Sequence, residues 1–499
     1  VAGLKTGLVR PDVPATVVPS IQCEMRVLIP SRLRHTTRRN KDQNVTLQSM
    51  AAVPETLGAV EERMAEPTAR GLADAVARAV AEGVLAAGEK LPPIRTVAVQ
   101  LGLSPTTVSA AWNLLSRAGT VQADGRRGTV ITARQAGPAR YRSALRGGGD
   151  LFALDLSTGT PDPALLPDVT AALRRLKPPA EPATYLDDPV LPELAELLRA
   201  DWPFAAERIT VVDGAMDALQ QIAATHLRFG DRVAVEQPCF PPLLDLLDSV
   251  GAVPVPVDVD DDGPLPGRLA AVAASVRAVF VQPRAQNPCG AALTGARASA
   301  LARALRDTDA LVIEDDSAGA IASAPPLSLG SELPERTLHV RSYSKSHGPD
   351  LRLAAIGGPA RLVDPVVDRR FLGQGWTSRL LQSVLVDLLT HAPSVRTVAR
   401  ARVAYATRRA RTVEALATHG IDVPGRDGLN IWLPVRDEAA ALLLLASRGI
   451  GAAGGGPFAV GPGGSPHLRV TVGLVATGHR ELARHLADAA TAAGQSVRS

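Results

Sequence analysis

The sequence predicts a multidomain chain: a small, mostly helical winged helix-turn-helix, then a large α/β domain that ends in a smaller α+β lobe. Three observations predict it. A chain of 499 residues with 46% hydrophobic content is too long for one ordinary core. Two short helical patterns meet at a glycine turn near residue 102, with two short strands behind them. From residue 151 onward, short apolar strands alternate with amphipathic helices, the pattern of a largely parallel sheet with crossover helices.

Residues 1–65 show no sustained period, begin with Val1 and scatter Pro11, Pro14, Pro19 and Pro30 among polar residues. Little order is expected there, and Met50 is a candidate true start.

The next segment, 66–133, reads as the winged helix. Leu72, Val76, Ala79 and Val80 lie at helical spacing, and the glycines and prolines of EGVLAAGEKLPPIR stop that helix. A second helix at RTVAVQLG closes at Gly102. In LSPTTVSAAWNLLSRAG, Ser104 suits an N-cap, Pro105 the first helical position, and Val108, Trp112 and Leu115 an inward stripe. TVQADGRRGTVIT then reads as two strands around an Asp-Gly turn, with Arg126 and Arg127 at the tip of the wing.

Residues 134–150 are polar, basic and end in three glycines, as a flexible linker would. The large domain spans 151–499. Its strands are ITVV, RVAVE, AVFVQ, ALVIED, TLHVRS and AAIGG, and the glycine-rich GAAGGGPFAVGPGGSP separates LNIWLPV from HLRVTVG in the final lobe. No internal repeat is present.

The net charge of +4 is unevenly spread. Residues 1–50 carry 8 basic and 3 acidic groups and residues 66–150 carry 11 and 6, whereas residues 151–499 sum to −4. A basic front on an acidic body suggests that a polyanion binds at the front, double-stranded DNA in the case of a helix-turn-helix; a solvated basic surface is the alternative. Ser104, Thr106 and Thr107 would lie near base edges or phosphates in the major groove, and Arg95, Arg126 and Arg127 would supply charge for the backbone. Three widely spaced cysteines, Cys23, Cys239 and Cys289, suit a reducing cytoplasm and show no metal-ligand spacing. No apolar run of membrane-spanning length and no secretory leader pattern is found, so a cytoplasmic protein is expected.

Lysine is scarce: of 54 basic residues only five are lysines, and Lys345 alone follows Lys177. Arginine covers plain positive charge here, but only a lysine amine can be deprotonated and condense with a carbonyl. Ser342, Ser344 and Arg352 around Lys345 could hold a phosphate. VVDGAMDAL passes from strand through Gly214 into a helix, so the backbone N–H groups of Gly214, Ala215 and Met216 can face an anion, although such turns are common. ALVIEDDS places Asp315 just past a buried strand, where a carboxylate needs a cationic partner or else is a solvated loop acid. Asn287 in QNPCG is a neutral donor or simply part of a proline turn. Phe240 in EQPCFPP is a ring for a flat ligand or a core residue.

The segment LPPIRTVAVQLGLSPTTVSAAWNLLSRAGTVQADGRRGTVIT resembles the GntR-family winged helix. Pro105 departs from the arginine or similar residue common in relatives, so base preference does not carry over. Residues 151–490 resemble the fold-type I pyridoxal-phosphate enzymes of the class I aminotransferase family, and the combination is the architecture of the MocR-type regulators. The resemblance implies that Lys345 forms a Schiff base with pyridoxal 5′-phosphate, that Asp315 pairs with the pyridinium nitrogen, and that Asn287 bonds the ring hydroxyl. Phe240 would stack on the ring. The Gly214 to Met216 turn, Ser342, Ser344 and Arg352 would hold the phosphate, and Tyr185 would reach a phosphate across a homodimer interface. Arg469 would clamp a carboxylate. Ser317 stands where the family has a tyrosine that helps hold the ring hydroxyl, and Val190 replaces the glycine of a DPxG turn; both changes put fast transamination in doubt. The expected function is a transcriptional regulator that senses pyridoxal phosphate, or an amine or amino acid reacting with it. An active aminotransferase with a fused DNA-binding module is the alternative.

Overall fold

The structure is a computed structural model that describes residues 57–492, apart from 82–83, 87, 118–120, 124–127, 132–139, 141–151, 177–183, 186 and 462–464. Most of the expected tail and linker, and both wing-tip arginines, Arg126 and Arg127, lie outside the described residues. One expectation is corrected at the front. Residues 57–61 are helical although little order was expected up to residue 65, because Leu57 and Val60, three apart on one helical face, are both buried.

The winged helix is built from α1 (Ala69–Ala81), α2 (Ile94–Gln100) and α3 (Pro105–Arg117). Gly102 takes φ +63°, a left-handed turn that side-chain-bearing residues resist, and so swings the chain from α2 into α3. Val76, Val97, Val108, Ala111 and Leu115 fill the centre of this small core. The wing strands β2 (Val121–Ala123) and β3 (Thr129–Ile131) are joined by β1 (Lys90–Leu91), in the order β1-β3-β2. The sheet therefore has one strand more than the sequence suggested, since a two-residue strand carries no readable period.

The large domain is organised by an eight-stranded sheet. Its strands are β4 (Arg208–Val212), β5 (Arg232–Gln237), β6 (Val253–Asp260), β7 (Gly263–Pro264), β8 (Ala278–Val281), β9 (Leu311–Asp316), β10 (Thr337–Ser342) and β11 (Ala354–Gly358). They lie in the order β4-β11-β10-β9-β8-β5-β6-β7. The pairs from β10 through β6 are parallel, whereas β11 runs antiparallel to β10 and β4.

Helices cover both faces, which is why the strands read as nearly continuous apolar runs. Val233, Val235, Phe280, Ile313 and Leu338 share one core with Leu219, Ile222 and Ala223 of α4 (Ala215–His226) and with Leu244 and Leu247 of α5 (Pro241–Val250). Ala234, Val279, Val281 and Val312 share the other with Leu301 and Leu305 of α6 (Gly295–Leu305). Alternation along each strand thus sends odd and even residues to different cores.

The 26-residue α7 (Ala392–Ala417) leads into the final lobe, where β12 (Ile431–Pro434), β13 (Ala453–Gly454) and β14 (His467–Val470) form a small antiparallel sheet in the order β12-β14-β13. Helix α8 (His479–Thr491) closes that lobe through Leu482, Ala483 and Leu486. Among the described residues no helix is long and apolar enough to cross a membrane.

Candidate cofactor site and DNA-binding module

The carboxyl ends of β4, β5, β8, β9 and β10 lie on one edge of the sheet, where connections leave room for a ligand. Lys345 follows β10, half-buried, and its Nζ donates to Ser317 Oγ at 3.3 Å. Burial pushes the Lys345 amine below its ordinary value; the Asp315 carboxylate opposes the shift, and the Arg469 guanidinium adds to it. The Lys345 amine therefore lies within electrostatic reach of both Asp315 and Arg469.

Asp315, expected past the strand, is the buried penultimate residue of β9. Burial raises its carboxyl, against a hydrogen bond from Gln282 and the charge of Lys345. Gln282 Nε2 donates to Asp315 Oδ2 at 2.8 Å and to Ser317 Oγ at 3.4 Å, and its Oε1 accepts from Asn287 N at 2.8 Å. Gln282 thus ties three of the expected site residues together. It was missed in the sequence, where its only signal is its place at the end of the strand AVFVQ. Asp315 Oδ1 and Asn287 Oδ1 are buried with no hydrogen-bond partner. Such atoms are costly unless a ligand meets them.

The glycine turn is equally specific. Gly214 takes φ +98° before α4, whose first turn has no side-chain cap, so its N–H groups stay open. A Cβ on Gly214 would lie 2.9 Å from Arg352 Nη2, because the Arg352 side chain lies across the turn and donates to Asp213 O at 3.1 Å. Arg352 itself adopts φ +49°. Buried Arg370 fixes the turn from behind by donating to Asp213 Oδ2 at 2.8 Å. Ser342 Oγ accepts from Ser344 N at 3.3 Å at the end of β10. Phe240, Ala215 and Met216 are partly buried against the same core.

Arg469 on β14 is buried, lies over the Phe458 ring at 5.3 Å and donates to Ser157 O. Gly159 makes room for it, since a Cβ there would lie 3.3 Å from Arg469 Nη1. Tyr185 is not drawn into this constellation: it is 85% exposed, with its ring 5.7 Å from that of Trp376. Val190 is buried, and its N–H donates to Asp188 Oδ1 at 2.9 Å, so the turn forms without glycine. Cys239 and Cys289 are buried free thiols, and among the described residues no cluster of possible metal ligands occurs.

In the winged helix, Ser104 Oγ accepts from Thr107 N at 3.0 Å and bonds the hydroxyls of Thr106 and Thr107 at 2.6 and 2.8 Å. Ser104 is therefore the N-cap expected, and it groups three hydroxyls at the start of α3. Arg95 is exposed on α2.

Comparison with known proteins gives the same division. The profile of aminotransferase class I and II matches residues 153–489, and that of the bacterial regulatory proteins of the gntR family matches residues 68–131. The vitamin B6 salvage pathway transcriptional repressor PtsJ of Salmonella typhimurium is 37% identical over 389 residues, covering 76% of this chain and 89% of that relative. The chain belongs to the MocR-type transcriptional regulators. This MocR-type chain is also similar to the pyridoxine biosynthesis transcriptional regulator PdxR of Corynebacterium glutamicum, 27% identical over 77% of this chain and 88% of that one. The transcriptional regulator TauR of Rhodobacter capsulatus is 28% identical over 71% and 82%. Among solved structures, the aspartate aminotransferase of Thermus thermophilus with maleate matches with a TM-score of 0.58 at 24% identity, covering 68% of this chain and 91% of that one. The α-aminoadipate aminotransferase LysN of the same organism reaches 0.62 at 22% identity, covering 71% and 95%. The protein is thus a DNA-binding regulator whose large domain has the fold of a pyridoxal-phosphate-dependent family.

Proposed function

We propose that this MocR-type regulator binds pyridoxal 5′-phosphate covalently through Lys345, and that the state of this site, altered by the cofactor or by an amine or amino acid reacting with it, governs how the winged helix engages double-stranded DNA. The observation that carries this reading is the pair of orphaned buried oxygens, Asp315 Oδ1 and Asn287 Oδ1, beside a lysine whose amine is held below its ordinary value. The residues fit the cofactor. When bound, it supplies an electrophilic carbonyl for amines and an electron-withdrawing ring.

Asp315 would accept from the protonated ring nitrogen, Asn287 would hold the ring hydroxyl, and Phe240 would cover the ring. The open N–H groups of Gly214, Ala215 and Met216, with Ser342, Ser344 and Arg352, would hold the phosphate. Arg469 would take the carboxylate of an amino-acid effector, and Gly159 leaves it space to do so. Tyr185, exposed beside Trp376, would serve the phosphate of a second copy in a homodimer. Two relatives whose names refer to vitamin B6 or pyridoxine support the cofactor assignment.

The coupling to DNA follows from linkage: a ligand that prefers one arrangement of the protein shifts DNA affinity by the same free energy with which DNA shifts ligand affinity. Titration of the purified protein with pyridoxal 5′-phosphate, followed by borohydride reduction and peptide mapping, tests the site. A stable adduct on the Lys345 peptide is expected; an adduct elsewhere, or none, overturns it.

One observation favours a second reading, an active aminotransferase: Arg469 lies close enough to Lys345 to depress its amine, as a substrate clamp beside the reacting nitrogen would. Steady turnover of an amino acid with a 2-oxo acid at ordinary enzyme rates would establish it.

A further inference from the structure

Behind the strand that presents Asp315 lies a second set of buried charges, on the opposite face of the sheet. Alternation along β9 turns Asp315 toward Gln282 and Lys345, and Glu314 and Asp316 away from them. The parallel register sets Glu314 beside His339 and Asp316 beside Arg341 on β10. There His339 Nδ1 lies 2.8 Å from Glu314 Oε2, and His339 Nε2 lies 3.8 Å from Asp316 Oδ2.

The remaining contacts close the cluster. Arg284 grips Asp316 with both ends of its fork, at 2.9 and 2.7 Å, and Gly319 N donates to Asp316 Oδ1 at 3.1 Å. Glu314 accepts from Ser328 Oγ at 2.6 Å and Leu329 N at 2.7 Å. Arg341 Nε lies 4.0 Å from Asp316, while its outer nitrogens reach the carboxylate and carbonyl of Asp201 at 2.9 and 2.7 Å. Trp202 meets the His339 ring edge-on, with centroids 5.3 Å apart. Of the charged members only Asp201 is exposed. Three carboxylates face two guanidiniums and His339, so the cluster is neutral only with His339 protonated.

Such a network is no more stabilising than well-packed apolar side chains, so stability alone does not account for it. Its place does: it holds both neighbours of Asp315. We propose that His339 is a positioning residue for the cofactor acid, an imidazolium that bonds Glu314 through Nδ1 and, from 3.8 Å, offsets the Asp316 charge so that Asp315 stays an ionised partner for the ring nitrogen. The inference rests on the assignment of Asp315 above. Charge effects run in the same direction. Burial raises Asp315 and Asp316 raises it further, whereas His339, like Lys345, lowers it. Burial lowers His339, but the carboxylates of Asp316 and Glu314 outweigh it and raise the imidazole.

The test compares wild type, His339→Gln and Asp315→Asn for affinity toward pyridoxal 5′-phosphate and toward its 1-deaza analogue, which lacks the ring nitrogen. Wild-type affinity for the cofactor is expected to fall about tenfold in His339→Gln, equivalent to roughly 1.4 kcal/mol, with affinity for the deaza analogue unchanged. Equal losses for both ligands would show a merely structural role and overturn the proposal, as would no loss at all. Asp315→Asn separates the two levels: if it too leaves cofactor affinity intact, the assignment of Asp315 fails; if it weakens binding and His339→Gln does not, only the present inference fails. Should His339→Gln not fold, imidazole ¹⁵N shifts of wild-type protein decide the matter, since a neutral His339 ring at pH 7 is incompatible with the proposal and a charged one is required by it.

Discussion

Lys345 Nζ donates to Ser317 Oγ across 3.3 Å, so a serine hydroxyl lies beside the amine proposed to bind the cofactor. The serine also accepts from Gln282 Nε2 at 3.4 Å and thus joins the Asp315 network. A phenol at this position would add one donor to the cofactor oxygen. Ser317→Tyr is therefore expected to raise transaminase turnover by about tenfold, the effect of one well-placed hydrogen bond, while Ser317→Ala leaves cofactor affinity within about threefold. A coupled transaminase assay with matched cofactor titrations checks both.

The Gly214 turn predicts a phosphate-specific loss. An alanine Cβ would meet the Arg352 guanidinium at 2.9 Å and would need φ +98°. Backbone strain there costs about 1–3 kcal/mol, and Arg352 must leave the turn. Gly214→Ala is expected to weaken pyridoxal 5′-phosphate at least about tenfold but to leave pyridoxal, which lacks the phosphate, nearly unaffected. Parallel absorbance titrations with the two ligands measure the ratio.

Much of this was legible in the sequence because each signal is local. The strands that lead to Gly214, Asp315 and Ser342 follow from apolar runs that stop near polar residues, and the α3 cap follows from Ser104 and Pro105. Gln282 was not legible, since nothing in AVFVQ says that its last residue turns toward Asp315 and Asn287, which arrive from other segments. The His339 cluster was hidden for the same reason. Its charges are spread over residues 201, 284, 314, 316, 339 and 341 and meet through strand register and through the loops that carry Asp201 and Arg284. Leu57 and Val60 escaped notice because five helical residues give too short a period to read.

The winged helix makes a prediction with two separable parts. Ser104→Ala removes the acceptor for Thr107 N and the hub of three hydroxyls, and should cost about 1 kcal/mol of local stability, seen as faster amide exchange in the first turn of α3. Neutralising Arg126 and Arg127 should leave that exchange unchanged. It should instead lower the slope of log affinity against log salt by about 0.9 for each DNA phosphate that the wing no longer neutralises, read from retardation titrations on operator DNA.

Glu236 gives a pH dependence with a definite sign. It is the buried penultimate residue of β5, accepts from Gln282 N at 3.0 Å, and burial pushes its carboxyl up to about 8. The folded state then binds a proton that the unfolded state releases near the ordinary carboxylate value. Between those two values the folded state holds more protons, so this group makes stability fall as pH rises from about 4.5 to about 8. The effect is complete above that window and absent below it. Glu236→Gln keeps an acceptor for Gln282 N and removes the titration. It should therefore flatten the melting temperature between pH 5 and pH 8 and stabilise the cofactor-free protein at pH 8 by up to roughly 4 kcal/mol. Chemical denaturation of wild type and Glu236→Gln at the two pH values measures this, and a difference between them that does not grow with pH would overturn it.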